Sequence, residues 1–236
     1  MGKRTARSPT VADGVVYVGS RDYNVYALNA ATGAKLWSYT AGDTVETAPA
    51  VANGIVYVGS TDRNVYALNA ATGDKLWSYT THGGLLSSPA VANGVVYIGS
   101  WDYSVYALNA ATGSLLWSYA TGYFVRSSPA VANGVVYVGS EDDNVYALNA
   151  TTGALLWSYA TDGQVESSPA VANGVVYVGS DGGNVYALDA ATGTKLWSYT
   201  IGLDVYVQSS PAVANGVVYI GSFQNHTLYA FHLPGD

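Results

Sequence analysis

The chain has 236 residues, no Cys, a formal charge of −7 and a sequence pI near 4.7. Without Cys there is no disulfide, no thiolate metal site and no Cys nucleophile, and an acidic surface repels phosphate backbones, which argues against nucleic acid as a partner. No apolar run approaches membrane-spanning length, so no membrane insertion is expected; 49% of residues are apolar and 11% charged, and 21 Tyr with frequent Val and Gly favour strands over helices.

Residues 1–7 carry Lys3, Arg4 and Arg7 and read as a basic, solvated tail. No hydrophobic segment follows these charges, so the stretch as it stands is not a secretory signal. From there the chain is periodic. Pro9, Pro49, Pro89, Pro129 and Pro169 are spaced by 40, and Pro211 follows after 42. Six units result, at about 8–47, 48–87, 88–127, 128–167, 168–209 and 210–236. A fixed period of this size points to a propeller or a solenoid.

The third unit shows the pattern. "SPAVA" is a short strand, and Asn93-Gly94 is a two-residue hairpin signal because both positions tolerate positive φ. "VVYIGS" is a β-branched and aromatic strand, "WDYS" the next turn, "VYALNA" a third strand, "ATG" a turn and "LLWSYA" a fourth strand. The middle strands are apolar on both faces, as in Val95, Val96, Tyr97 and Ile98, so each sheet must be sandwiched between neighbours. Four-stranded antiparallel sheets stacked radially provide that environment. The expected fold is all-β, a six-bladed β-propeller in a single domain, 1–236. A solenoid would need parallel coils, which the hairpin turns oppose.

The sixth unit, "SSPAVANGVVYIGSFQNHTLYAFHLPGD", stops without a fourth strand or its Trp. Its blade is expected to be three-stranded, with an edge at 227–233 where His232, Pro234 and Asp236 discourage pairing. The other outcome for that edge is a strand lent by another chain. A closed, monomeric ring is the expectation.

"ALNAATGxxxW" occurs at Ala27–Trp37, Ala67–Trp77 and Ala107–Trp117, at Ala147–Trp157 with Thr151, and as "ALDAATGTKLW" at Ala187–Trp197. This resembles the tryptophan-docking motif of pyrroloquinoline-quinone-type propeller repeats, over nearly the whole chain. The resemblance implies that Trp37, Trp77, Trp117, Trp157 and Trp197 pack on the neighbouring blade near the motif Gly. Asn29, Asn69, Asn109 and Asn149 replace the family's usual Asp, which only Asp189 keeps, and Asn can still cap the turn. The family is often periplasmic or extracytoplasmic.

The copies differ mainly at one end of each blade, in the turn between the second and third strands and in the link to the next blade. Three residues before the repeat Pro stand Ala6, Glu46, Leu86, Arg126, Glu166 and Gln208, expected to ring the mouth of a central channel. Trp101, Tyr103, Tyr123 and Phe124 surround the third unit, and Tyr206 and Phe223 lie between the fifth and sixth. Exposed turns tolerate change even where nothing binds. Clustered aromatics are nonetheless typical of recognition surfaces, and Arg126 between Glu46 and Glu166 suits a polar ligand.

Catalytic signals are weak. His82, His226 and His232 form no metal-spaced pair. The recurring Ser before Pro is structural, and turns such as Asp62–Asn64 offer too few oxygens for calcium. No catalytic residue, metal or cofactor is expected. The primary reading is a non-catalytic binding or scaffold propeller that recognises a protein, peptide or glycan on its variable loop face. The family resemblance supplies a second, a quinone- and calcium-dependent oxidoreductase, with Glu46, Glu166 and Gln208 imitating a calcium set. A designed or reconstructed repeat array without a ligand is the third.

Overall fold

In a computed structural model, residues 8–202, 205–222 and 224–232 are described; the basic tail with Ala6, Phe223 and the four C-terminal residues lie outside them. The chain divides into two compact units, 1–120 and 121–236. All regular structure in the described residues is β-strand.

The first unit holds three blades. Blade one is β1 (Thr10–Ala12), β2 (Val15–Gly19), β3 (Asn24–Asn29) and β4 (Lys35–Thr40). Blade two is β5 (Ala50–Ala52), β6 (Ile55–Gly59), β7 (Asn64–Asn69) and β8 (Lys75–Thr80). Blade three is β9 (Ala90–Ala92), β10 (Val95–Gly99), β11 (Ser104–Asn109) and β12 (Leu115–Ala120). The second unit holds blade four, β13 (Ala130–Ala132), β14 (Val135–Gly139), β15 (Asn144–Asn149) and β16 (Leu155–Ala160), and blade five, β17 (Ala170–Ala172), β18 (Val175–Gly179), β19 (Asn184–Asp189) and β20 (Lys195–Thr200). Blade six has three strands, β21 (Ala212–Ala214), β22 (Val217–Ser222) and β23 (Thr227–His232). Each sheet is ordered as in sequence, with neighbours antiparallel.

The turns behave as their residues dictate. Asn53 and Gly54 take φ of 50° and 73°, the two left-handed positions that a two-residue hairpin needs. At the other turn of the same end, Asn29 Oδ1 accepts hydrogen bonds from the N–H groups of Ala31 and Thr32 at 3.0 and 2.9 Å. Asp189 does the same for Ala191 and Thr192 at 3.0 and 2.8 Å. Asn therefore serves as well as Asp in the docking motif.

Each blade uses its two faces differently. In the first unit, Tyr17, Val25, Ala27 and Trp37 on the trailing face of blade one pack on Val56, Val58, Tyr66 and Leu68 on the leading face of blade two. In the second, Tyr137, Val145, Ala147 and Trp157 meet Val176, Val178, Tyr186 and Leu188 in the same way. Val25, Val65, Val105, Val145 and Val185 are all fully buried, and each such side chain contributes about 2 kcal/mol. That burial explains why the interior positions are copied so closely.

The repeated Trp locks these faces together. Trp37 Nε1–H donates to the Ala70 carbonyl at 2.9 Å, and Trp77 and Trp157 donate to those of Ala110 and Ala190 at 3.0 Å. The indole of Trp37 lies on Gly73, where a Cβ would sit 2.7 Å from Cδ2. Trp117 is buried against Tyr97, with ring centroids 5.8 Å apart. Trp197 meets Phe231 of blade six at 5.5 Å.

The hydroxyls before the repeat Pro have two structural jobs. Thr47 Oγ1 donates to the Gly59 carbonyl and accepts from the Gly59 N–H, both at 2.9 Å. Ser88 Oγ accepts from the Ala48 N–H at 2.8 Å, and Ser168 Oγ from the Ser128 N–H at 2.9 Å, joining the inner strands of adjacent blades.

Candidate functional site

The variable end of the blades is built on a common latch. In blade two, Asp62 of the β6–β7 turn accepts hydrogen bonds from Tyr66 Oη at 2.6 Å and from the N–H of Gly42, in the preceding link, at 2.7 Å. Asp102 does so for Tyr106 and His82, both at 2.8 Å. In the second unit, Asp142 does so for Tyr146 at 2.7 Å and Gly122 at 2.5 Å. The Asp therefore positions the turn, the link and a buried Tyr, and leaves no carboxylate for a cation.

Blade five solves the same problem in reverse. Its turn reads "DGGN", with Gly182 where blades one to four have Asp. The carboxylate comes instead from the link residue Asp162, at the position of Gly42, His82 and Gly122. Asp162 Oδ1 accepts from Ser180 Oγ at 2.5 Å and Tyr186 Oη at 2.7 Å, and Oδ2 accepts from Asn184 Nδ2. A Cβ on Gly182 would run into that carboxylate. Burial works to raise the Asp162 pKa, but the hydrogen bonds from Ser180, Tyr186 and Asn184 outweigh it and hold the group below its ordinary value. The exchange was readable in the two columns of the repeat taken together, though neither column shows it alone.

On this scaffold sit the candidate residues. In the first unit, Arg21 Nη2 pairs with Glu46 Oε2 at 2.9 Å. Trp101 is half-buried. Its backbone N–H donates to the Gly84 carbonyl at 3.0 Å, and a Cβ on Gly84 would lie 3.0 Å from Trp101 Cε3, so the indole packs on its link rather than projecting freely. Tyr103 is 39% exposed. It holds φ of 69°, and Tyr23 and Arg63 at the same turn position hold 74° and 75°.

In the second unit the polar residues converge. Arg126 Nε lies 2.9 Å from Glu141 Oε1 and Arg126 Nη1 lies 3.1 Å from Glu166 Oε1. The Glu141 side chain is only 5% exposed, so this turn residue is an anchored ion-pair partner and not a free tip. Burial raises its pKa against the opposing pull of Arg126, with Glu166 and Asp181 adding to the rise. Gln208 Nε2 donates to Asp181 Oδ2 at 3.1 Å, and burial likewise raises the Asp181 pKa. Tyr123 and Phe124 pack at 4.5 Å between centroids, and the Arg126 guanidinium lies 5.9 Å from the Phe124 centroid. Tyr206 is 48% exposed, with its N–H on Gln224 Oε1 at 2.8 Å. The structure thus joins Arg126 to Glu166, Gln208 to Asp181 and Glu46 to Arg21.

The calcium set that the family resemblance implies does not fit these residues. Glu46 and Glu166 are each bound to a guanidinium, and Gln208 to a carboxylate. Among the described residues no group of three His, Asp or Glu is placed to hold one metal ion.

Six antiparallel sheets, five of four strands and a last of three, make this an all-β, six-bladed propeller with PQQ-like repeats. The family profile described as outer membrane protein assembly factor BamB matches residues 1–124 and 122–232, and the chain belongs to that family, PQQ_2. A search of curated proteins finds no match. Among solved structures, the computationally designed protein Ika8 is similar with a TM-score of 0.85 and 20% identity, over 95% of this chain and 70% of that one. BamB from Moraxella catarrhalis is similar with a TM-score of 0.64 and 19% identity, over 98% of this chain and 86% of that one. At these identities the likeness shows the fold alone.

Proposed function

We propose that the protein is a non-catalytic binding or scaffold module that recognises a protein, peptide or glycan with the turns and links at the variable end of its blades. One observation carries the reading. Tyr23, Arg63, Tyr103 and Asp143 all occupy the left-handed region at the third turn position, with φ of 69° to 75°. Gly183 fills that position in blade five at φ of 85°, so glycine is compatible with the turn. A side chain there costs about 1 kcal/mol over glycine. Four blades of five bear that cost to present a large or charged group, and backbone strain of this kind gathers at functional sites. The adjoining Tyr123, Phe124 and Arg126 add an aromatic and cationic patch suited to a polar partner. The family's description as an assembly factor agrees with a scaffold role.

The test is a peptide display library and a glycan array probed with the wild type and with a Tyr103→Gly/Tyr123→Ala/Phe124→Ala variant. Selective ligands retained by the wild type and lost by an equally stable variant support the reading. Ligands held equally by both remove it. Stoichiometric binding of the quinone with calcium, accompanied by dye-linked alcohol oxidation, would replace it with the oxidoreductase reading. A ligand-free designed array, the third reading of the sequence, is favoured by the near identity of the units and the similarity to a designed protein.

A further inference from the structure

Two apolar faces stand out against their own copies. On the trailing face of blade six, Leu228 is 69% exposed and Tyr219 is 37% exposed. Strand pairing identifies their counterparts: Leu228 opposes Gly221 as Val185 opposes Gly179, and Tyr219 opposes Ala230 as Tyr177 opposes Ala187. Val185 and Ala187 are 0% exposed and Tyr177 is 1% exposed. Ala230 is exposed as well. On the leading face of blade one, Val11 is 63% exposed and Val16 and Leu28 are half-buried, whereas Val56, Leu68, Val96 and Leu108 at the same positions are 0% exposed. Gly33 has nothing within 4 Å where Gly73 carries the indole of Trp37.

The chain itself shows what covers such faces. Within each unit, a Tyr, Val and Ala trailing face packs on a Val, Val, Tyr and Leu leading face. Blade six presents Tyr219, Leu228 and Ala230 on the first kind of face, and blade one presents Val16, Val18, Tyr26 and Leu28 on the second. We propose that a second copy of this chain seats the leading face of its blade one on the trailing face of blade six, continuing between molecules the packing that joins blades within them. The sequence alone pointed to a monomer. The contact is heterologous, since each copy contributes a different face. It therefore propagates from copy to copy unless the rotation closes a ring. This proposal is independent of the loop-face reading, because no turn or link residue takes part.

The experiment is sedimentation equilibrium across a concentration series on the full chain. The wild type should exceed its chain mass of 24.6 kDa, with an average that rises with concentration. Leu228→Glu blocks one face and Val11→Glu the other. Both positions are exposed, so folding should be kept, as thermal melting will check. Either variant alone should sediment at 24.6 kDa, with association weakened by about a hundredfold or more. Mixed in equal amounts, the two should form a pair of twice 24.6 kDa, because one blade-six face and one blade-one face remain intact. A wild type that stays at the chain mass at every concentration overturns the proposal. So does an oligomer that survives in both variants, or a mixture that fails to pair.

Discussion

The exchange of Asp162 for the missing turn carboxylate of blade five makes a quantitative prediction. Asp162→Ala removes the acceptor for Ser180, Asn184 and Tyr186 together. Asp162 is itself solvent-exposed and Asn184 half-buried, so water replaces it readily for Asn184, while Ser180, 0% exposed, can turn its hydroxyl to a link carbonyl as Ser60 does to that of Thr44 at 3.0 Å. The Tyr186 side chain is not so placed: the residue is 5% exposed, and its hydroxyl loses a charged partner at 2.7 Å. The net cost is therefore that of one charge-assisted hydrogen bond, about 2 kcal/mol. For a chain of this length that lowers the melting temperature by about 4 to 8 °C. Gly182→Asp alone should also destabilise, because its side chain meets the Asp162 carboxylate. Asp162→Gly combined with Gly182→Asp rebuilds the arrangement of Asp62 over Gly42, and should return stability to within about 0.5 kcal/mol of the wild type. Urea denaturation of the wild type, Asp162→Gly, Gly182→Asp and the double variant forms a double-mutant cycle. Additive losses in the double variant would refute the exchange, as would an unaffected Asp162→Ala. The pH dependence adds a check. Because the folded-state pKa of Asp162 is lowered, its stabilisation is complete above the ordinary carboxylate range and disappears as pH falls through the lowered value. Wild type and Asp162→Ala should then converge in acid.

Further outcomes test the rest of the architecture. Gly73→Ala must place a side chain at φ of 78° against Trp37 and should cost about 3 kcal/mol, whereas Gly33→Ala at φ of 71° meets nothing within 4 Å and should cost only about 1 kcal/mol in chemical denaturation. Equal costs would deny the Trp its docking role. Glu141 has a raised pKa, so its contribution falls as pH rises from its ordinary value through the raised one. Glu141→Gln should consequently be as stable as the wild type or up to about 1 kcal/mol more stable at pH 7, with the difference vanishing in acid; a loss above about 2 kcal/mol at pH 7 contradicts this. Tyr103→Gly relieves the left-handed strain and should raise stability by about 1 kcal/mol in thermal melting. A destabilised Tyr103→Gly would make the side chain structural and remove it from the recognition surface.

The repeat itself carried most of the fold. The Pro spacing, the Asn-Gly and Ala-Thr-Gly turns and the recurring Trp determine strand number, strand direction and docking, because hairpin dihedrals and face-to-face burial are local properties that each unit states again. The three described strands of the sixth blade were legible for the same reason. The variable end was not legible in this way. Its residues act on partners in other columns of the repeat: Asp162 supplies from the link the carboxylate that Gly182 lacks in the turn, Glu141 is buried by Arg126, and Trp101 lies down on Gly84. Exposure is likewise a property of neighbours. Leu228 and Val185 occupy one position of one motif, yet one is open and the other closed, because burial depends on what packs above a residue and not on its place in the strand.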